Sequence, residues 1–194
     1  MEALDDKSPV TLYQEDIYLG YRYFDTFQKK VLFPFGSGLS YTSFDIVPKE
    51  VIQQDEEYEI VTEVTNTGNY AGKETIQLYW SCQNTATERP QKELKGFEKT
   101  KLLAPGESEE IHIYIERKEL AVYVEAKASY ILEKGTYCFL IGNTSNKVET
   151  AGEIHVDEDL IIKKCTNCLQ IQECNVEQLR FLSAKSGEKK AEHY

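Results

Sequence analysis

Few residues in this chain have the types and spacing that do chemistry. Glu15 and Asp16 form a carboxylate pair. Two carboxylates act together as a catalytic pair only when both face the same bond. Neighbours on an extended segment point to opposite sides, so this pair cannot flank one bond. A second group is Cys165-x-x-Cys168 followed by Cys174. Structural zinc takes four ligands, usually as two close pairs. Only three cysteines cluster, and the nearest histidine is His155, so free thiols are the expectation and no metal is assigned. His112, His155 and His193 are scattered, with no Ser or Cys at a spacing that suggests a triad. Asn143-Thr144-Ser145 matches a glycosylation sequon but reads as a plain turn. No glycine-rich phosphate loop is present. The sequence thus assigns no catalytic residue and no cofactor.

Composition narrows the partners. A length of 194 residues suits one domain of ordinary size plus extensions. With 41% hydrophobic and 28% charged residues, the chain can bury a core. Its net charge of −11 disfavours nucleic acid and anionic membrane, which both need clustered Lys and Arg. The longest apolar runs are about five residues, against the roughly 18 needed to span a bilayer. The first seven residues lack a basic-then-apolar signal pattern, so the expected location is cytoplasmic, or the chain is a piece of a larger protein. An odd count of five cysteines without a signal argues against a disulfide framework.

The elements that would carry any site are strands. Residues 43–47 read as a first strand, ended by Pro48. In 58–65, Tyr58, Ile60, Thr62 and Val64 alternate with Glu59, Val61, Glu63 and Thr65, which sends Ile60 and Val64 inward. In 73–81, Ile76, Leu78 and Trp80 share one face, and Thr75, Gln77 and Tyr79 the other. Residues 92–103 read as an edge strand anchored by Leu94 and Phe97, with a bulge at Gly96. Ile111, Ile113 and Ile115 alternate cleanly over 110–116. Residues 116–120 are the one short place for a helical turn before the tail. Strands follow at 122–124, 128–132, 136–142 and 148–156, the third of these with Tyr137, Phe139 and Ile141 on one face. Short strands separated by turns every ten or so residues predict an all-β sandwich from about 41 to 156. Its expected core is Ile60, Val64, Ile76, Leu78, Ile111, Ile113, Tyr137, Phe139 and Ile141. Beyond it, 176–182 has near-helical apolar spacing and 183–194 is rich in Lys and Glu, which predicts disorder.

The N-terminal segment is different in kind. Ten aromatic residues lie in the first 44 positions, without a sustained helical or strand period. A segment this small cannot bury them internally. They must pack on the following domain, on a missing domain or on a second copy. Phe33-Pro34-Phe35 is extended by its proline, and Gly36 and Gly38 permit a turn with positive φ around Ser37.

These residues also carry a resemblance. Glu15-Asp16-Ile17-Tyr18-Leu19-Gly20-Tyr21-Arg22-Tyr23-Phe24-Asp25, followed by Phe33-Pro34-Phe35-Gly36-Ser37-Gly38-Leu39-Ser40-Tyr41-Thr42, resembles a joint in family 3 glycoside hydrolases of the β-glucosidase type. In that family it lies between the α/β sandwich domain and a fibronectin type III-like domain. Asn66-Thr67-Gly68, Ala71-Gly72-Lys73-Glu74, Gln77-Leu78-Tyr79, Lys92-Glu93-Leu94-Lys95-Gly96-Phe97 and Pro105-Gly106-Glu107-Ser108 follow in the family's order. The resemblance covers residues 11–165. It implies an N-terminal extension over 1–40, a fibronectin type III-like (immunoglobulin-like) β-sandwich over 41–157, and a linker or tail over 158–194.

Such enzymes are retaining, with an Asp nucleophile on a barrel and a Glu acid/base on the α/β sandwich domain, held about 5 Å apart. Neither residue has a match here, so none is carried over and the chain alone is expected to be inactive. The stretch from Ala128 to Tyr137, the turn at 142–145 and Ala151-Gly152-Glu153 running into Cys165 resemble the branch in which the barrel comes last. The implied partners are the barrel and α/β sandwich domains, with a β-glucoside or oligosaccharide bound only in the full enzyme. Tyr18, Tyr21, Arg22, Tyr23, Phe24, Phe33 and Phe35 are the expected interdomain packing residues. Without that partner, residues 13–35 either fold back on the sandwich or form a homodimer, and the density of aromatics favours the dimer. The alternative is a free-standing module that binds carbohydrate or protein through exposed aromatics.

Overall fold

The period-two alternation becomes ten strands in a computed structural model that describes residues 15–166. The extension, residues 15–43, holds one short helix, α1 (Tyr21–Thr26). The strands are β1 (Phe44–Gln54), β2 (Glu57–Asn66), β3 (Thr75–Gln83), β4 (Glu93–Lys99) and β5 (Ser108–Glu116). They continue as β6 (Val122–Val124), β7 (Ser129–Leu132), β8 (Gly135–Thr144), β9 (Lys147–Val156) and β10 (Leu160–Lys164). A 3-10 turn at Arg117–Leu120 occupies the expected helical position and buries Leu120.

The strands pair antiparallel in three sheets, ordered β1-β2-β5, β4-β3-β8-β9 and β10-β7-β6. The first two face each other. All nine expected core residues lie between them, none more than 5% exposed. Tyr58 of β2 meets Phe139 of β8 across the gap at 5.5 Å between ring centroids. Gly96 permits close approach of the layers, because a Cβ there would lie 2.8 Å from Ile113 Cγ2.

Several expectations change. Pro48 does not end the first strand; β1 runs to Gln54 with a register shift between Pro48 and Glu50. β1 is an edge strand, where a missing N–H and a bulge are both tolerated. β4 is shorter than 92–103, and its register shift falls beside Gly96, between the partners of Leu78 and Tyr79. Phe97 is not an anchor. It is 67% exposed, on the opposite face from its neighbour Gly96, which lies against Ile113. Val61 was expected outward but is buried, flanked in register by Glu50 and His112 on the central strand of its sheet. The sequence predicts no strand after 156, and no helix in the extension; β10 pairs with β7, and α1 forms beside the sandwich. The residues of the expected helical spacing at 176–182 and of the charged tail lie outside the described residues.

The two faces assigned to β3 are both buried: beside Ile76, Leu78 and Trp80 on the first, Tyr79 on the second is fully buried and Gln77 is 7% exposed. The sheet that carries β3 is covered on both faces there, and the cover is the extension.

Candidate functional site: the aromatic joint

The extension begins with a tight turn, the Tyr18 N–H donating to the Glu15 carbonyl at 2.8 Å. Tyr18 is buried, and its hydroxyl donates to Glu88 Oε1 at 2.7 Å. Burial first, and then Glu88, pushes this phenol above its ordinary range, so it remains a donor. Gly20 turns the chain at φ 58° into α1. Tyr21 then stands edge-on to Tyr79 of β3, with centroids 5.8 Å apart and planes at 76°. Its hydroxyl accepts the Leu94 N–H at 2.8 Å. That backbone donor belongs to β4, the sheet edge, so the tyrosine satisfies a group that an edge leaves open.

Charges fix the same element. Arg22 pairs with Glu93 at 3.2 Å. Asp25 lies 3.2 Å from Lys92 Nζ, an ion pair whose angles fall outside hydrogen-bond geometry. Thr26 Oγ1 accepts the Gln91 N–H at 2.8 Å. Arg22 and Asp25 thus reach across to residues 92–93 on the sandwich.

The loop that receives these contacts is held from below. Glu133, 5% exposed, accepts from the Thr87 hydroxyl at 2.7 Å and from Arg89 at 3.1 Å. Trp80 stacks on Tyr137 at 5.0 Å, with Arg89 5.1 Å and Lys95 4.9 Å from its ring. It is 2% exposed and belongs to the core, as its place in the strand alternation implied.

Past α1 the extension turns outward. Gly36 sits at φ +82° with its Cα against Gln77; a Cβ there would lie 2.0 Å from that amide. The Phe35 carbonyl accepts the Ser145 N–H at 2.9 Å, and the Phe35 ring lies 4.9 Å from Tyr21. The Thr42 hydroxyl donates to Asn66 Oδ1 at 2.6 Å, and Asn66 itself donates to the Leu103 carbonyl at 2.8 Å. The segment is thus tied at both ends. Its apolar side chains before and between the ties face solvent: Leu32 is 93% exposed and Phe33 80% before Phe35, and Leu39 fully and Tyr41 95% between Phe35 and Thr42.

The seven expected packing residues therefore divide. Tyr18 is buried and Tyr21, Arg22 and Tyr23 are half-buried against the chain's own surface. Phe24, Phe33 and Phe35 are exposed. Sequence reasoning missed Gln77, Tyr79, Glu88, Lys92 and Glu93 as the receiving surface. The one available signal was that the second face of β3 carries a large tyrosine.

Of the other sequence candidates, only the 143–145 turn reaches this joint, through the Ser145 N–H on the Phe35 carbonyl. His112 lies 2.7 Å from Glu59 and 3.2 Å from Glu110 on the sheet of β2 and β5. Asn143 donates its side-chain amide to Glu74 at 3.0 Å, at the end of β8. Cys165 follows β10, its N–H bonded to the Ala128 carbonyl at 2.7 Å; Cys168 and Cys174 lie outside the described residues. No group of three or more metal-ligating side chains occurs among the described residues.

Comparisons with known proteins agree with this architecture. The model of the fibronectin type III-like domain family matches residues 74–145. A β-glucosidase of Kluyveromyces marxianus is 41% identical over 154 residues, covering 78% of this chain and 18% of that enzyme. The structure of β-glucosidase 3B from Thermotoga neapolitana in complex with α-D-glucose superposes with a TM-score of 0.73 at 38% identity, over 78% of this chain and 21% of that one. A β-glucosidase from Paenibacillus barengoltzii gives 0.74 at 40% identity, over 79% and 18%. The chain spans about a fifth of the length of these relatives. The chain matches the fibronectin type III-like portion of family 3 glycoside hydrolases of the β-glucosidase type.

Proposed function

We propose that this chain is the packing module of a β-glucosidase-type hydrolase and that residues 31–41 dock it onto the catalytic domains. The observation that carries this reading is the two-sided joint. Its first half, through Tyr18 and Tyr21, is locked to the sandwich. Its second half is tied at Phe35 and Thr42 and presents Leu32, Phe33, Leu39 and Tyr41 to solvent. Several large apolar side chains held outward in one stretch are what an interface needs and what a solvated linker avoids. Hydrolysis of a β-glucoside is then an activity of the larger enzyme, to which this module contributes stability. A free-standing carbohydrate-binding role is not favoured, since the single tryptophan is core.

The test places Phe33→Ser and Leu39→Ser together in an enzyme that joins this chain to its catalytic domains. The expected result is a lower thermal midpoint and lost turnover at elevated temperature there, with no change in the midpoint of the 194-residue chain. Equal effects in both proteins, or none in either, would overturn the reading.

Self-association is the second reading, favoured by the same exposed side chains. Light scattering on the 194-residue chain and on one starting at Leu39 separates it. A dimer that becomes a monomer on truncation supports it, and two monomers at the same concentration exclude it.

A further inference from the structure

Beside the exposed loop lies a groove of about 540 Å³, bounded by Pro34 and residues 36–40, the start of β3, the end of β4 and the β8–β9 turn. Its walls are fixed. Gln77 Nε2 donates to the Asn143 carbonyl at 3.2 Å, the Tyr79 hydroxyl donates to Gln77 Oε1, and Phe35 is bonded to Ser145. Three lysines line it from three different elements: Lys73 before β3, Lys99 at the end of β4, and Lys147 at the start of β9. None of the three forms an ion pair among the described residues, although Lys49, Lys92, Lys101, Lys118 and Lys127 elsewhere do. Glu74 is the one carboxylate in the lining among the described residues, and it faces the wall. Its Oε2 accepts from Asn143 at 3.0 Å and its Oε1 from the Thr75 N–H at 2.8 Å.

We propose that this groove binds carboxylates of an acidic protein segment through Lys73, Lys99 and Lys147. The inference rests on the reading that the chain works against other domains, and it assigns the chemistry of the segment that enters the groove. Charge complementarity points to it, because a chain of net charge −11 leaves three lysines uncompensated around one rigid space. The lysines come from separate elements, which suits several carboxylates spaced along a chain better than one small anion. Among the described residues no aromatic side chain lines the groove, so these residues offer a sugar no stacking platform there.

The test uses the 194-residue chain and hexaglutamate at low ionic strength, followed by amide chemical shifts. Shifts should cluster at residues 37, 73 and 143. The triple variant Lys73→Glu, Lys99→Glu, Lys147→Glu should bind about tenfold more weakly or worse, while Lys163→Glu, Lys164→Glu should bind as the parent does. A triple Lys→Gln variant serves the same purpose should charge reversal disturb folding. Unlocalised shifts, or equal loss in the control variant, would make the attraction generic and overturn the proposal. Inorganic phosphate binding as tightly as the peptide would make this a small-anion site. Cellotetraose moving the same amides while hexaglutamate does not would make it a sugar site. Either result overturns the proposal but leaves docking through Phe33 and Leu39 standing, since that is read from enzyme stability.

Discussion

At the scale of single residues, stability rests on a few buried contacts. Ile113 is 5% exposed and faces Gly96 across the layers. Its truncation to alanine is expected to cost about 2–5 kcal/mol, read as a shifted denaturation midpoint. Glu133 is a different case, because it is charged, buried and paired with Arg89 at 3.1 Å, with both side chains under a tenth exposed. Glu133→Ala leaves the Arg89 charge without its partner and should destabilise by about 3–5 kcal/mol in urea unfolding. Glu107 sets part of the acid response. Its carboxylate accepts the Ala104 N–H at 2.9 Å and pairs with Lys101 at 3.0 Å, which hold its pKa below the usual carboxylate value. A pKa depressed by folding means stability that is present above the unfolded value and lost as pH falls through the folded one. Glu107→Gln should therefore flatten the loss of thermal stability below about pH 4.5 and leave the slope near neutrality unchanged. The residues whose roles were legible in the sequence, such as Ile113 and Tyr137, are those that act through burial on a strand of period two. Glu88, Glu93 and Lys92 were not legible, because their partners sit about 70 positions away, as Tyr18 and Glu88 do.

At the scale of elements, the extension acts as a cover for β3 and a cap for the β4 edge. α1 has six residues, a length that is marginal alone in water. Its stability comes from Tyr21, Arg22, Asp25 and Thr26, each bonded to or packed on the sandwich. Tyr21→Phe keeps the ring contact with Tyr79 and removes the acceptor for the Leu94 N–H. Exchange at the Leu94 amide is expected to quicken roughly five- to tenfold, matching loss of a hydrogen bond of about 1 kcal/mol. Unchanged exchange at Leu94 would mean that α1 leaves the sheet in solution. Strand existence was readable in the two facing sheets, where a buried face imposes alternation, but not for β10, whose residues are mostly exposed. Strand ends were less so. Pro48 stops a central strand but not an edge strand with a bulge, and edge position is a property of the sheet.

For the whole molecule, the described chain holds one hydrophobic core between facing sheets and a tethered apolar stretch. The 194-residue chain is expected not to hydrolyse aryl β-glucosides. Turnover that persists through purification and disappears on mutating Glu15 or Asp16 would contradict this. The sequence by itself determined the sandwich, its core and the likeness to β-glucosidases, because alternation and turn chemistry are local and the shared motifs stand in a fixed order. Only the tertiary structure decided how the aromatic segment divides. Tyr18 and Tyr21 turn inward because β3 and the β4 edge offer them an apolar face, a carboxylate acceptor and an unpaired N–H donor. Leu39 and Tyr41 remain outside on the backbone that spans the Phe35 and Thr42 ties, and Phe33 stands outside just before the first of them. Which side an aromatic takes depends on the surface that reaches it, and that surface is assembled from residues distant in the chain.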